Sequence, residues 1–244
     1  MMVAVEKKLP PRAVQGIVFD GDDTLWSTEC LYDAARNSAR KVVIEAGFDG
    51  VAWEELERLI DVQNVDAMGF SAERFPTSCA QAYEELCRRQ SLPPDPVISM
   101  KIRQAARSVF ELEAPLVFNV RETLSDLRAQ GMRLALLTKG DPDIQARRIE
   151  NSGLRDFFEV IEIVPEKSAS VIRSVVDRLG VGVESAMMVG NSVQSDLIPA
   201  IEAGLRVAWV NAHVWEYERG GNDLADDRFT SLPTLADIAS VIPG

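Results

Sequence analysis

Three aspartates stand within four residues at Asp20-Gly21-Asp22-Asp23, and Thr24 follows them. Carboxylates this close repel one another, so the cluster is costly unless a cation is held there. Further along come Thr138-Lys139, Lys167, Asn191 and Asp196. A carboxylate, a second carboxylate two residues on, a hydroxyl, a lysine and a further acid suit phosphoryl transfer. Asp20 is the candidate nucleophile, forming an aspartyl-phosphate. Asp22 is the candidate general acid/base, protonating the departing oxygen and then deprotonating the attacking water. A divalent cation lets an anionic nucleophile approach an anionic phosphate, and magnesium suits a hard oxygen site with few protein ligands. Thr138 and the N–H groups after it are placed to hold phosphoryl oxygens. Lys167 neutralises both phosphate and Asp20. Lys139 either reaches substrate or is a surface lysine.

These residues need a scaffold that gathers them. Val14 to Phe19 is short, apolar and β-branched, as a buried parallel strand should be. Cys30–Ala46, Ala52–Asp66, Thr77–Arg89 and Pro96–Glu111 carry apolar residues at helical spacing, with breaks at 47–50, 69–76 and 91–96. From Phe118 helices and strands alternate: helix Val120–Gln130, strand Arg133–Leu137, helix Asp141–Ser152, strand Val160–Val164, helix Lys167–Leu179, strand Ala186–Val189, helix Val193–Ala203, strand Arg206–Val210 and a last helix Leu232–Val241. The expected fold class is α/β, a Rossmann-like three-layer core with a parallel sheet, plus an all-helical cap domain. The expected boundaries are 1–27 and 116–244 for the core and 28–115 for the cap. In such sheets ligands bind beyond the carboxyl ends of the strands, where Asp20, Thr138, Lys167 and Asn191 fall.

Composition narrows the partners. The 244 residues are 46% hydrophobic with a net charge of −12, which argues against a nucleic-acid backbone and allows local phosphate binding. Cys30, Cys79 and Cys87 form no C-x-x-C pair and read as reduced thiols. Met1 to Arg12 lacks a signal-peptide core, and no apolar run has membrane-spanning length, so the expected address is the cytoplasm. The expected partner is a small phosphorylated metabolite, with oligomeric state open.

The chain resembles the haloacid dehalogenase superfamily. Ile17-Val18-Phe19-Asp20-Gly21-Asp22-Asp23-Thr24-Leu25 matches its D-x-D-x-T nucleophile loop, Leu136-Leu137-Thr138 its second motif, Lys167 its third, and Val189-Gly190-Asn191-Ser192-Val193-Gln194-Ser195-Asp196 its fourth. The resemblance implies a phosphatase with a helical cap between the first and second motifs. It makes Asp20 nucleophile and metal ligand. Asp22 becomes acid/base and lends its backbone carbonyl to the metal. Thr138 and Lys167 bind the phosphoryl group, and Asn191 and Asp196 complete the Mg2+ shell. Two positions depart from the pattern. Asp23 stands where glycine is usual and reads as a turn or helix-cap residue. Asn191 stands where aspartate is common, leaving open which of Asn191 and Asp196 touches the metal. A phosphotransferase or mutase, a dehalogenase, and a phosphate-binding regulatory protein without turnover are the alternatives.

The remaining candidates have plainer readings. His213 reads as an exposed loop histidine, Trp26, Trp209, Trp215 and Tyr217 as packing residues, and Arg88-Arg89 and Arg147-Arg148 as exposed helix faces. Met68 to Phe75 reads as an interhelical loop, the alternative being a segment that dips into the site and selects substrate.

Overall fold

The computed structural model describes residues 13–212 and 227–242. Six strands form one parallel sheet: β1 (Gly16–Phe19), β2 (Arg133–Lys139), β3 (Val160–Val164), β4 (Ala186–Gly190), β5 (Arg206–Val210) and β6 (Phe229–Leu232). Their order is β3-β2-β1-β4-β5-β6. Side chains alternate across a strand, so Ile17 and Phe19 enter one core with Leu134, Leu136 and Val189. Val18 enters the other with Ala135, Leu137 and Met188. Helices α5 (Val120–Ala129) and α6 (Pro142–Ser152) cover the first face through Leu124, Leu127 and Ile149. Helices α7 (Ala169–Leu179) and α8 (Ile198–Ala203) cover the second through Ile172, Val176, Ala200 and Ala203. This is the expected three-layer α/β core. Strand order reverses between β1 and β4, and the crevice at such a switch point is where open α/β sheets hold ligands.

Four helices lie between β1 and α5: α1 (Glu29–Glu45), α2 (Gly50–Met68), α3 (Arg74–Arg89) and α4 (Pro96–Arg107). They share a hydrophobic core of their own around Trp53, Phe75, Tyr83 and Ile102. Two ion pairs are buried inside it. Arg36 Nε meets Glu57 Oε2 at 2.8 Å, and Arg74 Nη1 meets Asp61 Oδ2 at 2.7 Å. Among the described residues, no helix is long and apolar enough to cross a membrane. All three cysteines are free thiols.

Several expected boundaries shift for local reasons. The helix expected from Lys167 starts at Ala169, because the Ser168 side chain accepts from the Val171 N–H and fixes the cap there. Lys167 is thereby left in the preceding connection. The single helix expected over Val193–Ala203 is a π turn, Val193–Leu197, followed by α8. Pro199 has no N–H to give and fits only near a helix start. The helix expected over Leu232–Val241 is instead β6 followed by a 3₁₀ helix, Leu235–Ser240, with a capping box between Thr234 and Asp237. Pro233 disfavours helix at the residue before it. Met1 to Arg12, His213, Trp215 and Tyr217 lie outside the described residues.

Glu57 has no solvent contact, and burial pushes its carboxyl from 4.5 up to about 7, with Arg36 offsetting only part. Arg36, which also holds Asp33, is kept charged. The folded state therefore binds this proton more tightly than the unfolded chain does. The contribution to stability is greatest below pH 4.5 and is lost as the pH rises to about 7. Thermal unfolding at pH 5 and pH 8 should show a drop that shrinks in Glu57→Gln by on the order of 1–3 kcal/mol. An unchanged pH dependence in the variant would remove Glu57 from this role.

Candidate active site

Strand β1 ends at Phe19, and the Asp20 N–H still pairs with the Val189 carbonyl of β4 at 2.9 Å. Asp20 is therefore fixed at the switch point. Its Oδ2 accepts from the Thr24 hydroxyl at 2.9 Å, and its Oδ1 accepts from the Lys167 ammonium. The same ammonium reaches Asp196 Oδ1 at 2.6 Å. Asp20, Lys167 and Asp196 are all buried. Burial, then Asp196, push the Asp20 carboxyl up to about 7, with Lys167 pulling the other way. Burial also opposes the charge on Lys167, but Asp196 and Asp20 outweigh it and hold the ammonium protonated.

Asp196 is brought to Asp20 by the π turn. Its Oδ2 accepts from the Ser192 N–H at 3.0 Å, and the Ser192 hydroxyl accepts from the Ser195 N–H at 2.9 Å. Gly190 is required beneath it, since a Cβ there would lie 2.3 Å from Asp196 Oδ2. Asn191 is buried beside them, its amide oxygen 3.4 Å from the Thr24 hydroxyl, and Trp209 Nε1 donates to its carbonyl at 2.9 Å.

The other two aspartates take separate directions. Asp22 is turned towards three donors: Trp26 Nε1 to Oδ1 at 2.7 Å, with Gln145 Nε2 and Arg148 Nη1 to Oδ2 at 2.8 and 2.7 Å. Asp23 has φ +58° and accepts from the Thr28 N–H, the Glu29 N–H and the Thr28 hydroxyl. It caps α1, and its left-handed backbone accounts for glycine being usual at this place. Burial raises its carboxyl above the usual range, against the pull of these hydrogen bonds.

Thr138 lies inside β2 with no solvent contact, and its hydroxyl has no hydrogen-bond partner among the described residues. Lys139 donates to the Ser195 hydroxyl, and its ammonium sits 3.6 Å from the centre of the Phe70 ring. A cavity of about 140 Å³ joins these groups, with Tyr32, Arg36, Asp61, Phe70 and Arg74 of the helical segment on its far wall.

The structure thus brings Asp20, Asp22, Lys139, Lys167, Asn191 and Asp196 to one cavity, with Thr138 at the same strand edge. Two plainer readings are corrected. Arg148 is not an exposed helix-face residue like Arg147; it is buried and paired with Asp22. Met68 to Phe75 is not an ordinary interhelical loop, because Phe70 and Arg74 line the cavity. Trp26 is fully buried, as expected of a packing residue, and is also a donor to Asp22. Gln145 and Arg148 escaped the sequence reading. The available signal was their three-residue spacing on a helix that starts just after Thr138-Lys139.

A hard oxygen site with a buried lysine, a buried unpartnered hydroxyl and a second acid matches the parts that phosphoryl transfer needs. The family model of haloacid dehalogenase-like hydrolases matches residues 14–204. A glyceraldehyde 3-phosphate phosphatase of Pyrococcus furiosus is 27% identical over 93% of each chain. The pyrimidine 5'-nucleotidase YjjG of Escherichia coli is 31% identical over 84% of this chain and 89% of its own. The crystal structure of a haloacid dehalogenase-like family hydrolase from Xanthomonas campestris superposes with a TM-score of 0.75 at 25% identity, covering 93% of this chain and 94% of that one.

A buried hydroxyl without a partner costs stability and is available to a ligand. Thr138→Val keeps the shape and removes the hydroxyl. Urea unfolding should show stability unchanged or raised by up to about 1 kcal/mol, while calorimetry should show inorganic phosphate binding weakened roughly tenfold. A clear loss of stability would mean that the hydroxyl is already bonded inside the protein.

Proposed function

The chain belongs to the haloacid dehalogenase-like hydrolases, and we propose that it is a magnesium-dependent phosphatase of a small phosphate monoester, working through an aspartyl-phosphate on Asp20. The observation that carries this reading is the buried Asp20–Lys167–Asp196 cluster with the unpartnered Thr138 hydroxyl at the same edge.

In this reading the phosphoryl oxygens are held by the Thr138 hydroxyl and Lys167. An Asp20 oxygen attacks phosphorus, and the bond to the leaving oxygen breaks as Asp22 gives that oxygen a proton. Asp22, now ionised, takes a proton from water, and the water oxygen attacks the same phosphorus. The acyl-phosphate bond breaks, inorganic phosphate leaves and Asp20 is restored as a carboxylate.

The donor set suits a cation. Asp20 and Asp196 contribute two buried carboxylates and Lys167 one positive charge, so one negative charge is left uncompensated. Two buried carboxylates and the Asn191 amide are hard oxygen donors, suited to an ion that accepts few protein ligands together with water, as magnesium does. Asp20, the Asp22 carbonyl and Asn191 or Asp196 would hold it. Bound there, it would offset the negative charge shared by nucleophile and phosphate.

The helices between Glu29 and Phe110 serve as the cap, within expected boundaries of 28–115, and close the cavity through Phe70 and Arg74. The cavity volume fits a small leaving group. The relatives named for glyceraldehyde 3-phosphate and nucleotide hydrolysis support a phosphorylated metabolite as substrate. Asp22, held in place beside Asp20, favours this reading over dehalogenation, which has no leaving group to protonate.

Purified protein with Mg2+ should release phosphate from members of a panel of sugar phosphates, nucleoside monophosphates and small carboxylated phosphates. Activity on none of them would overturn the proposal. Asp20→Asn should abolish turnover, because an amide is a poor nucleophile; retained turnover would remove Asp20 from the role.

A further inference from the structure

Asp22 is tethered by residues that lie outside the four matched motifs. Gln145 and Arg148 stand three apart on α6 and so share a face. Both meet Asp22 Oδ2, while Trp26 meets Oδ1. A carboxylate offers about four acceptor positions. Three are filled, and the remaining one belongs to Oδ1. The Asp22 side chain is 29% exposed and lines the cavity. The three donors therefore leave the carboxylate one direction in which to act.

Arg148 is buried, at 9% exposed. Burial opposes its charge, but Asp22, the foremost of the groups around it, holds it protonated.

We propose that Arg148, assisted by Gln145, is the positioning residue for the acid Asp22. The proposal rests on the phosphatase reading, because it assigns Asp22 a proton to deliver. The proton passes from Asp22 to the leaving oxygen as the P–O bond breaks. Arg148 exchanges no proton and only fixes the direction of transfer.

The test separates positioning from a merely structural ion pair by the leaving group. In this reaction kcat/KM reports steps up to departure of the leaving group. A dinitrophenolate departs without a proton, whereas an alkoxide does not. Values of kcat/KM would be compared on 2,4-dinitrophenyl phosphate and on the fastest alkyl phosphate of the panel above. Arg148→Met should lower the alkyl value roughly 100-fold, within the range of a general-acid contribution, and the dinitrophenyl value by less than about threefold. Asp22→Ala should show the same selectivity, and the double variant should lose no more than Asp22→Ala alone. Gln145→Met should reproduce the selectivity more weakly, and it keeps the test open if Arg148→Met does not fold. Equal slowing of both substrates, or losses that add in the double variant, would overturn the proposal while leaving the phosphatase reading intact. A wild-type protein inactive on every ester would sink the phosphatase reading, and this inference with it.

Discussion

One ammonium between two buried carboxylates sets the terms for the rest of the core. Lys167 is protonated, has almost no solvent contact, and bridges Asp20 and Asp196. Taking three charges out of water is costly, and removing any one of them would leave its partners worse off. The three come from different connections: the end of β1, the residues before α7, and the π turn after β4. Each connection is bent to serve the meeting. Ser168 rather than Lys167 caps α7, Pro199 interrupts the helix after Asp196, and Gly190 yields the space in which Asp196 lies. The fold deviates from plain helix and strand chiefly where it must bring these charges together.

The aspartate loop is also the joint between the sheet and the helical segment. Asp23 caps α1 from five residues upstream of Thr28. The two linkers run beside each other, with Ser27 N–H on the Pro115 carbonyl and Val117 N–H on the Leu25 carbonyl. Trp26, fully buried in the core, donates to Asp22 from the same loop. Each aspartate therefore has its own partner set, and the mutual repulsion of the cluster is met by three different means. Asp20 has an ammonium, Asp22 a guanidinium with two neutral donors, and Asp23 two backbone N–H groups with a hydroxyl.

Much of this architecture is legible in the chain because strand ends carry the chemistry. The apolar run to Phe19 predicts β1, and the alternation after Phe118 predicts a parallel sheet with Thr138 and Asn191 at its carboxyl edge. Residues whose role depends on packing are not legible in this way. Arg148 beside Arg147 has the look of a solvated helix face, and helical spacing does not say which face meets the aspartate loop. Phe70 and Arg74 follow a helix break, and a break does not reveal that its residues will face Lys139. Strand β6 is four residues long and ends against Pro233, too short for periodicity to register. The π turn depends on how one proline is accommodated, a matter of backbone geometry more than of pattern.

The position of β1 in the sheet has a consequence for how the chain reaches this structure. Gly16 pairs with Arg133 on one side and Ala186 on the other, so both edges of the central strand wait for partners far along the chain. Closing those loops costs entropy before any strand contact compensates for it. The helices from Glu29 to Phe110 pack mainly on one another, through contacts of shorter reach. Once formed, they bring Trp26 and Leu116 together as an antiparallel bridge, which shortens the effective loop between β1 and β2. The segment that forms the far wall of the cavity thus also holds the two ends of the β1–β2 connection together, which favours assembly of the sheet and with it the meeting of Asp20, Lys167 and Asp196.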